Sequence, residues 1–172
     1  MHMEQDANIF IYNGLKDAGI RFIVSVPDTL ISPVLNAIDK DPNFIHIIAT
    51  REEEGVGIAI GAYFGGYKVA ILMQNTGLGN SLNAIASQGI SYKIPLLMLM
   101  TLRGHLEEYN PADVAFGQAT PQILSALRIP CYIPNTNEEL YRTIIGAAKL
   151  AETSQEPVAI LLQKHLFRKI ER

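Results

Sequence analysis

The sequence predicts an α/β protein of three layers: an open, mostly parallel six-stranded sheet with helices on both faces. Six short apolar runs, rich in β-branched residues, alternate with segments of helical periodicity, as a parallel sheet covered on both sides requires. Glycine, proline and asparagine punctuate that alternation at the expected joints. A length of 172 residues, 48% of them hydrophobic, suffices for one domain (1–172) with a sizeable core.

The elements follow in order. Helices are expected over 6–18, 31–39, 52–64, 79–92, 121–127 and 138–152, and strands over 22–26, 45–48, 69–73, 96–100, 131–133 and 158–162. Gly19 follows the first helix, and Pro33 sits in the first turn of the second, where its missing N–H costs nothing. Gly65-Gly66 end the third helix, and the segment Asn135–Asn137 offers caps for the last. Sheets of this kind bind ligands beyond the carboxyl ends of their strands. That directs attention to Pro27-Asp28-Thr29 and to residues 50–54, 74–80 and 101–118. The last of these reads as the longest non-periodic loop, and long loops in compact domains are often functional.

Composition excludes several classes. A formal charge of −3, without a basic or aromatic-interleaved patch, argues against nucleic acid as a partner. The longest apolar run, 94–100, is broken by Pro95 and is too short to span a bilayer, and Met1-His2-Met3 shows no signal-peptide pattern. A soluble, cytoplasmic protein is the expectation. Cys131 stands alone, and His2, His46, His105 and His165 lie too far apart for zinc-ligand spacing, so no metal site is expected in this chain. Only 18% of residues are charged, an apolar balance that points to surface covered by another chain.

The most informative stretch runs from Arg51 to Tyr63. Glu52, Glu53 and Glu54 open a helix in which no further charge occurs before Lys68. That pattern predicts a helix buried almost all round, with one carboxylate buried beside it. A buried carboxylate is expensive unless it has a partner or a task. Gly55, Gly57 and Gly61 predict close approach of another helix or backbone. The turn Gln74-Asn75-Thr76-Gly77-Leu78-Gly79-Asn80 follows a strand and opens a helix. It lacks the third glycine of a dinucleotide fingerprint, where Leu82 stands, and the Gly-Lys-Ser/Thr of a P-loop. Asp28 is either a turn-forming aspartate or a substrate-facing one. Arg103 either grips an anionic substrate or pairs with Glu107 or Glu108, and His105 beside it is a candidate acid or base. Read alone, these residues define an enzyme-like α/β domain.

Spacing carries the reading further. Glu53, followed after four residues by Ile58 at a position often glycine and after two more by Gly61, resembles the signature of the pyrimidine-binding domain of thiamine diphosphate enzymes. Val26-Pro27-Asp28-Thr29-Leu30 resembles the strand end of keto-acid decarboxylases. The 74–80 turn with Asn83, together with Leu102-Arg103-Gly104 and Gly117-Gln118, is similar to phosphonopyruvate and sulfopyruvate decarboxylases. The Gly-Asp-Gly motif by which such enzymes hold diphosphate and a divalent metal is missing from the sequence. In the sulfopyruvate decarboxylase family the two domains are separate subunits, and this chain has the length and motifs of the α subunit.

That resemblance implies a function: decarboxylation of 3-sulfopyruvate to sulfoacetaldehyde, of the coenzyme M biosynthesis type, active only with a β subunit. It implies thiamine diphosphate as cofactor, with Mg2+ bound mainly by that partner. Glu53 would hydrogen-bond N1′ of the aminopyrimidine, and Asn75, Thr76 and Gly77 would also touch the cofactor. Asp28 would manage the proton delivered after carbon dioxide leaves. Arg103, His105 and Gln118 would bind the anionic substrate. Glu52 and Glu54 would be solvated or paired at an interface, and the glycines would let two Glu53 helices meet in an α–α contact. Pyruvate decarboxylases carry a His-His pair where this sequence has Asp113-Val114, so those relay roles do not carry over. The alternatives are a phosphonopyruvate decarboxylase-type subunit and a non-catalytic α/β binding module.

Overall fold

In the computed structural model, β1 (Phe22–Ser25), β2 (Ile45–Ile48), β3 (Val69–Gln74), β4 (Leu97–Thr101), β5 (Cys131–Tyr132) and β6 (Val158–Leu162) form one sheet in the order β2-β1-β3-β4-β6-β5. Every pairing is parallel. Residues 6–106 and 108–167 are described; Met1-His2-Met3 and Glu107 lie outside the described residues.

Side chains alternate across the pleat and feed two cores. Ala70, Leu72, Leu97, Leu99, Val158 and Ile160 pack under α1 (Ala7–Asp17), α2 (Ser32–Ile38) and α6 (Asn137–Ser154). Ile71, Met73, Met98, Met100, Ala159 and Leu161 pack under α3 (Glu52–Phe64), α4 (Gly77–Ala84) and α5 (Pro111–Ala126). The central strands β3, β4 and β6 are therefore buried on both faces, which is why they read as unbroken apolar runs.

The caps behave as the sequence suggests. Thr136 accepts from the Glu139 N–H (3.1 Å) while the Glu139 carboxylate takes the Asn135 N–H (2.7 Å), a reciprocal cap for α6. Pro33 stands in the first turn of α2, and Gly19 and Gly66 have positive φ past the ends of α1 and α3.

Three expectations need correction. The fifth helix begins at Pro111, not 121, so the loop after β4 is confined to 102–110. Asn110 caps it by accepting from the Ala112 N–H (3.2 Å), Pro111 suits the first turn, and Pro121 is carried inside the helix. The fourth helix begins at Gly77 and passes at Ile85–Ile90 into a π-helical segment. Finally, α3 is not buried all round. Gly55, Val56, Ala59 and Ile60 face the core, but Gly57 and Gly61 look onto open space and Phe64 is 71% exposed. Of the three glycines only Gly55 makes the close approach, to Ile71 and Val24 of the sheet.

Candidate active site

Because all strands are parallel, the loops after β1, β2, β3, β4 and β6 leave the same edge of the sheet. The glutamates at the start of α3 belong to this rim, and the structure separates them. Glu54 turns back to accept from the Thr50 N–H (2.8 Å), closing the helix start. Glu52 lies against Gly77 and accepts from Asn80 Nδ2 (3.0 Å). Glu53 pairs through Oε1 with Arg51 Nε (3.0 Å), while its Oε2 is buried without a hydrogen-bond partner. The Glu53 side chain as a whole is 40% exposed, so only that oxygen, not the whole carboxylate, is sealed as the sequence suggested. A covered acceptor with no donor is costly.

A second group gathers at the ends of β1 and β4. Asp28 makes an Asx turn, Oδ1 accepting from the Leu30 N–H (2.9 Å), while Oδ2 faces Arg103 Nη1 at 3.8 Å. Arg103 binds Glu108 through Nε (2.9 Å) and Nη2 (3.2 Å), and Nη2 lies 3.5 Å from Asp113. Glu108, 4% exposed, also accepts from the N–H groups of Gly104, Tyr109 and Asn110. The Arg103 guanidinium, then the Gly104 N–H, hold the Glu108 carboxyl well below the usual carboxylate range, and Glu108 in turn raises the Arg103 pKa. Of the two readings open for Arg103, the ion pair is the one observed. Asp113, on the first turn of α5, joins the cluster through Gln74 Nε2 (3.4 Å) and Asn110 Nδ2 (3.0 Å).

Asn75 frames this group. It is fully buried; its Oδ1 takes the Arg103 N–H (3.0 Å) and its Nδ2 donates to Thr120 Oγ1 (3.0 Å) and the Arg103 carbonyl (3.3 Å). Its side-chain amide is therefore engaged within the chain. Thr76 accepts from Gln74 Nε2 (2.8 Å) and precedes the buried Gly77. Gln118 is exposed on α5 and is not brought into the cluster, and His105 is exposed in the loop after β4.

Another constellation was invisible in the sequence. Ser25 Oγ lies 2.8 Å from His46 Nε2, and His46 Nδ1 lies 2.5 Å from Asp39 Oδ1. The order matches a hydrolase triad, but Ser25 is 0% exposed and cannot meet a substrate. It is a brace between β1, β2 and the end of α2, buried at Ser25 and His46 and open to solvent at Asp39. Burial pushes the Cys131 thiol up to about 11, which removes it as a nucleophile at neutral pH. Among the described residues no group of His, Cys, Asp and Glu could hold a metal ion, and no helix is long and apolar enough to cross a membrane.

The parallel sheet and the glutamate helix at its carboxyl rim are those of a cofactor-binding domain, and the comparisons agree. Residues 6–127 match the model of the thiamine pyrophosphate enzyme N-terminal TPP binding domain, and the chain belongs to that family. Within it the chain belongs with the sulfopyruvate decarboxylase alpha subunits. It is 45% identical to that of Methanococcus maripaludis over 91% of this chain and 94% of the relative. Identity to the Methanocaldococcus jannaschii subunit is 46%, over 90% of this chain and 91% of the relative. Among solved structures, a 2-oxoglutarate:ferredoxin oxidoreductase from Magnetococcus marinus superposes with a TM-score of 0.74 at 15% identity, over 94% of this chain and 29% of that one, a likeness of fold.

Proposed function

We propose that this chain is the pyrimidine-binding α subunit of a thiamine diphosphate-dependent decarboxylase that converts 3-sulfopyruvate to sulfoacetaldehyde and carbon dioxide. A β subunit would supply the diphosphate site and most of the Mg2+ contacts. The observation that carries the reading is the Glu53 carboxylate: of three adjacent glutamates, it alone keeps a buried oxygen without a donor.

That oxygen fits an N–H of the cofactor's aminopyrimidine. When bound, thiamine diphosphate supplies the carbon nucleophile and the electron sink for decarboxylation. Arg51 holds Oε1 of the Glu53 carboxylate, which would leave Oε2 to hold the ring. Asp28, anchored by its Asx turn and turned toward Arg103, is the residue we assign to hand a proton to the carbon that carbon dioxide leaves. Gly77 lets Glu52 pack against the start of α4, and we assign Thr76 and Gly77 to the cofactor's side of this rim. For Arg103 to touch substrate, Glu108 would have to yield its place, whereas His105 is free to approach from solvent. Gly57, Gly61 and Phe64 form an open stripe along α3 that suits a second glutamate helix in an α–α contact.

The test is reconstitution of the chain with its partner, thiamine diphosphate and Mg2+, followed by carbon dioxide release from 3-sulfopyruvate. Glu53→Gln should abolish release while leaving the fold intact. Full activity in that variant would remove the mechanism. Failure of the wild-type pair to bind the cofactor at all would favour a non-catalytic module.

A further inference from the structure

Arg103 stands where a substrate-binding arginine is expected, yet its surroundings suit a different task. Asp28, Glu108 and Asp113 set three carboxyl groups against its single guanidinium, a formal excess of negative charge that repels an incoming anion. The Arg103 side chain is only 14% exposed and already lies against all three partners. Its backbone is held as well: the Arg103 N–H donates to Asn75 Oδ1 (3.0 Å), and the adjoining Gly104 N–H donates to Glu108 (3.0 Å). A residue tied at backbone and side chain is poorly placed to travel to a ligand.

The geometry determines where its charge points. A guanidinium is planar, with its donors in a fixed fork. Glu108 takes the edge formed by Nε (2.9 Å) and Nη2 (3.2 Å), and Nη2 also lies 3.5 Å from Asp113. Two residues thus set the plane, and Nη1 is left beside Asp28 Oδ2 at 3.8 Å. The rest of Asp28 is anchored locally. Its Oδ1 accepts from the Leu30 N–H (2.9 Å) and its carbonyl from Ser32 Oγ (3.0 Å). Asp28 follows β1, whereas the guanidinium is oriented from the loop after β4 and from α5, so the pair joins segments that are remote in sequence.

We propose that Arg103 is a positioning residue: anchored by Glu108, it fixes the Asp28 carboxylate for proton delivery rather than gripping the substrate. The inference rests on the decarboxylase reading above. In that reaction the bond from the keto carbon to the carboxylate breaks, carbon dioxide leaves and the electron pair stays behind. Asp28 then passes to that carbon a proton taken from solvent. Loss of Arg103 leaves the bond-breaking step intact and slows the proton step.

The experiment compares wild type, Arg103→Gln, Arg103→Lys and the double variant of Arg103→Gln with Glu108→Gln in the reconstituted enzyme. The double variant removes one charge of each sign, so it keeps the formal charge of the cluster if the single variant fails to fold. Steady-state kinetics with 3-sulfopyruvate are paired with rapid-quench counts of carbon dioxide and aldehyde in the first turnover. Each variant should lower kcat about 10- to 100-fold, the cost of a misplaced group, with KM within about threefold. Carbon dioxide should still appear once per site at nearly the wild-type rate, with the aldehyde lagging behind. In an Asp28→Asn background, Arg103→Gln should lower kcat no further.

A raised KM with kcat unchanged, unaltered kinetics, a further fall in the Asp28→Asn background, or carbon dioxide and aldehyde slowed together overturns the proposal and leaves the decarboxylase reading standing. A wild-type pair that releases no carbon dioxide defeats that reading instead. Positioning is then judged by NMR on the full chain. The Leu30 N–H signal, which reports the Asp28 carboxylate, should shift in Arg103→Lys while the Glu139 N–H at the α6 cap stays in place. An unmoved Leu30 signal overturns the proposal.

Discussion

Gly104 and Gly117 meet backbone to backbone: a Cβ on Gly117 would lie 2.6 Å from Gly104 Cα and 2.1 Å from the Arg103 carbonyl oxygen. A Cβ on Gly104, at φ +80°, would lie 2.2 Å from the Asp113 carbonyl oxygen. The loop after β4 is thus laid flat on α5, and this contact brings Arg103, Glu108 and Asp113 together. Gly117→Ala should cost about 1–3 kcal/mol, since backbone on both sides must give way. Urea melts check this, and a variant as stable as wild type would show that the contact is dispensable.

Asn75 braces the same loop from beneath. Asn75→Ala leaves the buried Arg103 N–H without its acceptor and Thr120 without its donor, so a loss of about 1–3 kcal/mol is expected. In a double-mutant cycle with Thr120→Val, the two losses should fall short of adding, because the pair shares one hydrogen bond.

Glu108 sets an acid limit on the site. Its carboxyl is depressed in the folded chain, so its contribution is complete above the ordinary value of 4.5 and is lost as pH falls through the lower folded-state value. Stability should therefore begin to fall below pH 4.5, with Glu108→Gln weaker at neutral pH and flatter across that acid range. Parallel acid titrations of the two proteins would reveal the difference; equal slopes would deny Glu108 this role.

The Ser25–His46–Asp39 brace should be inert chemically. Wild type and Ser25→Ala should hydrolyse p-nitrophenyl acetate at the same background rate, because Ser25 has no path to solvent. The variant should lose about 1 kcal/mol of stability with the hydrogen bond to His46. Ester hydrolysis that depends on Ser25 would show that the strand opens.

The strands were legible because β3, β4 and β6 sit between two helical layers and so contain little but apolar residues. The first part of α5, from Pro111 to Thr120, was not, since Gly117 and two prolines interrupt Pro111-Ala112-Asp113-Val114-Ala115-Phe116-Gly117-Gln118-Ala119-Thr120-Pro121 and mask its period. The cap signal Asn110-Pro111, with Asp113 in the first turn, was the clue available. The outer face of α3 misled in the other direction: Gly57, Gly61 and Phe64 look like core by type, yet among the described residues nothing packs over the two glycines and Phe64 is largely exposed. Spacing singled out Glu53, but the partners that occupy Glu52 and Glu54 depend on Asn80 and Thr50, which only the fold brings near.

The vacant acceptor on Glu53 also bears on how the protein can be handled and assayed. A donor that reaches this oxygen binds only the folded chain, so its binding free energy is added to the stability of the fold. Solitary, the chain is at its most heat-labile, and its melting temperature becomes a gauge of how much of it is engaged. A thermal scan across ligand and partner concentrations would then read assembly without any turnover being measured.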